Sequence, residues 1–112
     1  MKWQHDKPIY LQIKEIIIAS ILDETIKEKE LLPSVRQLSL DYQINPLTVS
    51  KAYQLLLEDG IIEKLRGLGM QVKLNAKSQL LITEKAYFLN TKWPMIKKEI
   101  QRLNLTIEEL GL

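Results

Sequence analysis

The sequence predicts a mainly α-helical fold with one small β-hairpin, a winged helix-turn-helix followed by a short helical C-terminal segment. Three observations carry that prediction. Apolar residues recur at helical spacing through residues 9 to 22, and again behind two helix-start signals, Pro33-Ser34 and Asn45-Pro46. Two strand-like runs, "IIEKL" and "MQVKL", flank the glycine-containing "RGLG". From about Lys77 the helical period returns and continues almost to the end of the chain. The expected partition is residues 1 to 75 and residues 76 to 112.

A chain of 112 residues fits one domain, or one small domain with an appendage. Its residues are 46% apolar but only 6% aromatic, which suits a helical core built from aliphatic side chains. The absence of cysteine excludes disulfides, thiolate metal sites and cysteine nucleophiles, and fits a reducing cytoplasm, the expected location. The opening "MKWQHDKPIY" is charged and lacks an apolar run of signal-peptide length, so neither export nor a membrane partner is expected. The formal charge of +2 is too balanced to identify a nucleic-acid partner. Residues 1 to 75 carry ten basic and ten acidic side chains, so any basic surface must come from placement.

The first helix is predicted over "IYLQIKEIIIASIL", residues 9 to 22, with Pro8 suited to its first turn. Leu11, Ile18 and Leu22 widen its apolar stripe, so it should contact two neighbours or a second subunit. "DETIKEKE", residues 23 to 30, breaks the period and reads as a solvated connector. Ser34 and Gln37 form a capping-box pattern that starts a helix running to about Tyr42, with Val35 and Leu38 facing inward. Asn45 followed by Pro46 starts the next helix and Gly60 ends it. Val49, Ala52, Tyr53 and Leu56 should be buried, leaving Leu47, Thr48, Ser50, Lys51 and Gln54 on other faces.

In the tail, Leu80, Leu81, Leu89, Trp93, Ile96, Ile100 and Leu103 follow helical spacing, and Pro94 should kink or interrupt the segment. Thr106 and Glu109 repeat the capping-box pattern before a terminal helix too short to stand alone. Its apolar face must dock on something, for which a second copy of the chain is a candidate.

The second helix of a helix-turn-helix approaches base edges and phosphates with its N-terminal residues, which are therefore small, polar or basic. Asn45, Thr48 and Lys51 fit that need, and the first turn is expected to offer free backbone N–H groups to a phosphate. "LPSVRQLS", "INPLTVSKAYQLLLEDGII" and "RGLGMQV", preceded by "KPIYLQI", together resemble the DNA-binding domain of GntR-type bacterial transcription regulators. "NPLTVSKAY", "RGLG" and the short helical tail are most similar to the YtrA-like branch of that family.

The resemblance implies a repressor acting as a homodimer joined by its C-terminal helices, bound to an inverted-repeat operator in double-stranded DNA, in control of a transporter operon. It implies DNA contacts from Ser34 and Arg36, from Asn45, Thr48, Ser50 and Lys51 on the recognition helix, and from Arg66 and Gly67 at the wing tip. A small-molecule effector is left unidentified, because residues 75 to 112 are too few for an enclosed ligand pocket within one subunit.

Three features depart from the family pattern. Asp23-Glu24 and Glu28-Lys29 stand where glycine-rich turns are usual, and Leu47 and Leu68 put apolar side chains at the recognition helix and wing tip. The competing class is a winged-helix module that binds protein instead of DNA, against which Arg36, Lys51 and Arg66 argue. No enzyme, cofactor or metal is expected, since no nucleophile and base pair can be assembled and the one histidine, His5, lies in an N-terminus expected to be mobile. Tyr53 and Trp93 read as packing groups rather than ligand-stacking ones.

Overall fold

In the computed structural model, which describes residues 2 to 112, proline sets the start of the first helix. Pro8 holds φ at −55° immediately before α1 (Ile9–Leu22). Ile13, Ile17 and Ile21 form its buried stripe, and Ile18 widens it as the sequence indicates. Gln12 is buried among them and fully engaged. Its Oε1 accepts from the Gln4 amide at 2.9 Å, and its Nε2 donates to the carbonyls of Gln4 and Lys7 at 2.9 and 2.8 Å. Trp3 meets the ring of Tyr42 edge-on, with centroids 5.9 Å apart. These contacts tie residues 3 to 7 to the helices, where the sequence led us to expect a mobile end.

The connector differs more. Glu24 and Lys29 take left-handed backbone angles, φ +61° and +72°, and so make the turns that glycine makes elsewhere. Beyond them, Lys29 N donates to Val72 O at 2.7 Å, Val72 N to Glu30 O at 3.0 Å, and Leu32 N to Met70 O at 2.8 Å. Leu31 pairs with Gln71. Residues 29 to 32 therefore line the hairpin as a third extended segment rather than a solvated link. The physical reason is that the outer backbone groups of the hairpin need partners.

Ser34 caps α2 (Val35–Tyr42), its Oγ accepting from Gln37 N at 3.0 Å. The capping box is only half formed, because the Gln37 side chain donates to the Asp41 carboxylate at 2.7 Å instead of returning to the cap. Next comes α3 (Pro46–Glu58), which buries Val49, Ala52, Tyr53 and Leu56, the four residues its spacing selects. The Tyr53 hydroxyl donates to Pro33 O at 2.5 Å. Gly60, at φ +74°, turns the chain into β1 (Ile62–Leu65), which pairs antiparallel with β2 (Gly69–Val72). Leu68 N donates to Leu65 O at 3.0 Å to close the tip, with Gly67 at φ +79°. This is the winged helix the sequence predicts.

Two compact units result, one ending at Leu80 and one formed by Leu81–Leu112. The helix α4 (Ala76–Tyr87) contributes Ala76 and Leu80 to the core of the first. In the second unit, a π-helical turn (Phe88–Lys92) precedes α5 (Trp93–Arg102). The Trp93 amide donates to Phe88 O, five residues back. Pro94 has no N–H to donate, and its ring would crowd the Asn90 carbonyl in a regular α turn, so the wider turn accommodates it. Finally, α6 (Ile107–Leu110) carries the complete capping box, with Glu109 N donating to Thr106 Oγ1 at 3.2 Å and Thr106 N to Glu109 Oε1 at 3.0 Å. No residue from 81 to 112 is fully buried, and Trp93, read as a packing group, is 37% exposed.

Burial, reinforced by the neighbouring Tyr42, pushes the Tyr53 phenol up from 10.0 to about 12. A raised acid pKa means its stabilising contribution is complete below pH 10 and is lost as pH rises through 12. Urea unfolding of the wild type should therefore weaken by about 1.4 kcal/mol per pH unit more than Tyr53→Phe between pH 10 and 12. Near pH 7 Tyr53→Phe should itself cost about 1 kcal/mol. Lys29→Gly should raise stability by about 0.5–1 kcal/mol in the same assay, because it relieves a left-handed backbone while the main-chain bond to Val72 stays.

Candidate nucleic-acid interface

Burial of one face of α3 decides what its other face shows. Ser34, Arg36, Asn45, Ser50, Lys51, Arg66 and Gly67 are all exposed, and Thr48 is half-buried. They come from three places: the start of α2, the first turns of α3, and the hairpin tip.

Asn45 does more than its sequence position implies. Its Oδ1 accepts from Leu47 N at 2.9 Å, and its carbonyl accepts from Thr48 N at 2.9 Å and Val49 N at 3.4 Å. Pro46 has no N–H. The first turn therefore has no free backbone donors for a phosphate, contrary to the expectation, and side chains must make the contacts. The amide Nδ2 of Asn45 remains able to donate outward, as does the hydroxyl proton of Ser34, whose oxygen is used as a cap.

Lys51 also has a partner that its position in the sequence hides. Its Nζ lies 3.9 Å from the centroid of the Tyr10 ring on α1, a cation–π contact. Tyr10 precedes it by a whole helix and a connector, so no local spacing rule would pair them. The aromatic face orients the ammonium without neutralising it.

Charge is arranged by pairing. Lys7 binds Glu15 at 2.7 Å, Lys14 binds Asp59 at 2.8 Å, Lys29 lies 3.8 Å from Glu63, and Lys77 lies 3.4 Å from Glu24. Arg36, Lys51 and Arg66 take part in none of these ion pairs. The balanced composition thus conceals unpaired cations at the places read as contact points. Lys64, exposed on β1 beside the tip, is a further such cation that the sequence reading passed over; its closeness to Arg66 in the chain was the only signal. Among the described residues no helix is long and apolar enough to cross a membrane.

A capped second helix that exposes Asn45, Ser50 and Lys51, beside a wing tipped with arginine, defines a winged-helix regulator of transcription. The chain belongs to the GntR family of bacterial regulatory proteins, whose family pattern matches residues 9–72. It is 38% identical to the HTH-type transcriptional repressor YtrA of Bacillus subtilis (strain 168) over 105 residues, which is 94% of this chain and 75% of the relative. Its fold is similar to that of a GntR family transcriptional regulator from Listeria monocytogenes, with TM-score 0.76, 30% identity, and 96% and 93% of the two chains covered. It is also similar to AraR(DBD), solved in complex with operator ORX1, with TM-score 0.56 and 27% identity over 59% of this chain and 80% of that one. The family is one of regulators rather than enzymes.

Asn45→Ala should cost about 1 kcal/mol of stability in urea unfolding, whereas Asn45→Ser, which keeps an oxygen for the cap, should stay within a few tenths. That pair separates the structural duty of Asn45 from any role in binding.

Proposed function

We infer that this chain is a homodimeric repressor of an inverted-repeat operator, with residues 1 to 75 binding DNA and residues 76 to 112 joining the two copies. The observation that carries the reading is the start of α3, where Asn45, Ser50 and Lys51 stand exposed while the opposite face of the helix forms the core. In this reading Asn45, Thr48, Ser50 and Lys51 meet the major groove, and Ser34 and Arg36 hold the backbone beside it. Arg66, with Gly67 allowing a close approach, enters the minor groove or grips its rim, where a narrow groove favours arginine.

One winged helix touches too few base pairs to discriminate among the competing sites of a genome. Two-fold pairing doubles the contact and makes the operator an inverted repeat, with recognition helices about one helical turn apart. The tail supports such pairing. Trp93, Ile96 and Ile100 fall on one face of α5 by helical period, Leu103 follows as its C-cap, and none is fully buried. Repression follows from occupying a promoter, in keeping with the repressor name of the YtrA relative. The similarity to the YtrA-like branch points to a transporter operon as target, and an effector would bind between helices or subunits.

Selection of bound sequences from a random duplex pool at near-physiological salt, with mass followed by light scattering, tests both halves. The expected result is an enriched inverted repeat held by two copies of the chain. A well-folded protein that enriches nothing would overturn the DNA reading, and a monomer would overturn the role given to the tail. Arg66→Ala should weaken all sequences alike if its contact is to phosphate, lowering the slope of log affinity against log salt by about one per subunit.

A further inference from the structure

Leu47 is 77% exposed, the most exposed large apolar side chain among the described residues of the first unit. It stands in the first turn of α3, between Asn45 and the Ser50 and Lys51 side chains, and it makes no contribution to the core. Its backbone cannot serve a ligand either, since the Leu47 N–H is held by Asn45 Oδ1 at 2.9 Å. What this residue offers outward is a branched hydrocarbon at the end of the helix that faces bases.

The major groove limits what such a group can meet. Guanine and adenine present N7 acceptors together with O6 or N6–H₂ groups, and cytosine presents an N4–H₂ donor. Covering any of these with a leucyl group strips water from a polar edge and returns no hydrogen bond. Thymine alone presents a methyl group, at C5. We propose that Leu47 reads the 5-methyl group of a thymine in each half-site, a contact that attracts through the methyl and rejects other bases through their dehydrated edges. This rests on the operator-binding reading above, and it gives one position of the operator its base.

The selectivity is of modest size and can be isolated chemically. Burying one methyl group is worth about a fourfold change in affinity, and about fifteenfold when both half-sites of a dimer are altered.

The test uses the full chain and the operator found by selection. Each thymine of one half-site is replaced in turn by deoxyuridine, which removes the methyl and leaves every hydrogen-bonding group in place. At one thymine the wild type should lose about fourfold in affinity, and Leu47→Ala should bind the thymine and uracil duplexes equally. Leu47→Met, which keeps an apolar side chain, should restore the difference. The exposed position makes folding of these variants safe, and an unchanged thermal midpoint verifies it. Wild-type binding that is indifferent to every uracil would overturn the assignment, as would a methyl effect that survives unchanged in Leu47→Ala. Failure to bind any duplex would instead overturn the operator-binding reading, and this inference with it.

Discussion

The hydroxyl of Tyr53 donates to the carbonyl of Pro33 from a ring that is 2% exposed. Its ring is held in the core and its oxygen reaches the residue just before the cap of α2. Both helices of the helix-turn-helix are therefore referred to one point. If the ring were displaced, the burial of Val49, Ala52 and Leu56 would still orient α3 about its axis, but the side-chain bond that ties it to the residue before α2 would be lost. The cost of burying a phenol is offset by a hydrogen bond to the Pro33 carbonyl, which is why a tyrosine rather than a phenylalanine suits the site.

That registration matters because the first turn of α3 has little backbone chemistry to give away. Asn45 takes up the N–H groups of Leu47, Thr48 and Val49 between its side chain and carbonyl. The helix start is stable on its own account, and binding is delegated to side chains whose directions are inherited from a rigid helix. Lys51 illustrates the same economy. The Tyr10 ring limits the rotamers of a long side chain, so less freedom is lost when the ammonium engages an anion.

Local signals made most of this legible. Ser34, Asn45 and Thr106 each announce a helix by a side-chain oxygen placed before an apolar period, and each caps as its position implies. The four buried residues of α3 follow from spacing alone, and the glycines of "RGLG" mark the hairpin tip. What escaped was non-local or unusual. Glu24 and Lys29 adopt left-handed backbone angles that no propensity assigns to charged residues, so the turn they make was invisible. The pairing of residues 29 to 32 with β2 depends on backbone groups, which leave no trace in side-chain pattern. The π-helical turn before Pro94 is one of several ways a helix can absorb a proline, and the sequence announces only that some disturbance occurs there. For the candidate residues, exposure was readable from spacing; the Tyr10 partner of Lys51 and the occupied N–H groups of α3 required coordinates.

The third segment on the hairpin has a bearing on solubility. Because residues 29 to 32 cover the outer side of β2, that strand has no free edge, and the opposite edge of the hairpin is that of β1. That edge is four residues long and carries Glu63 and Lys64 at its middle. Short, charged edges are poor templates for strand addition, so β1 gives amyloid-like growth little to build on.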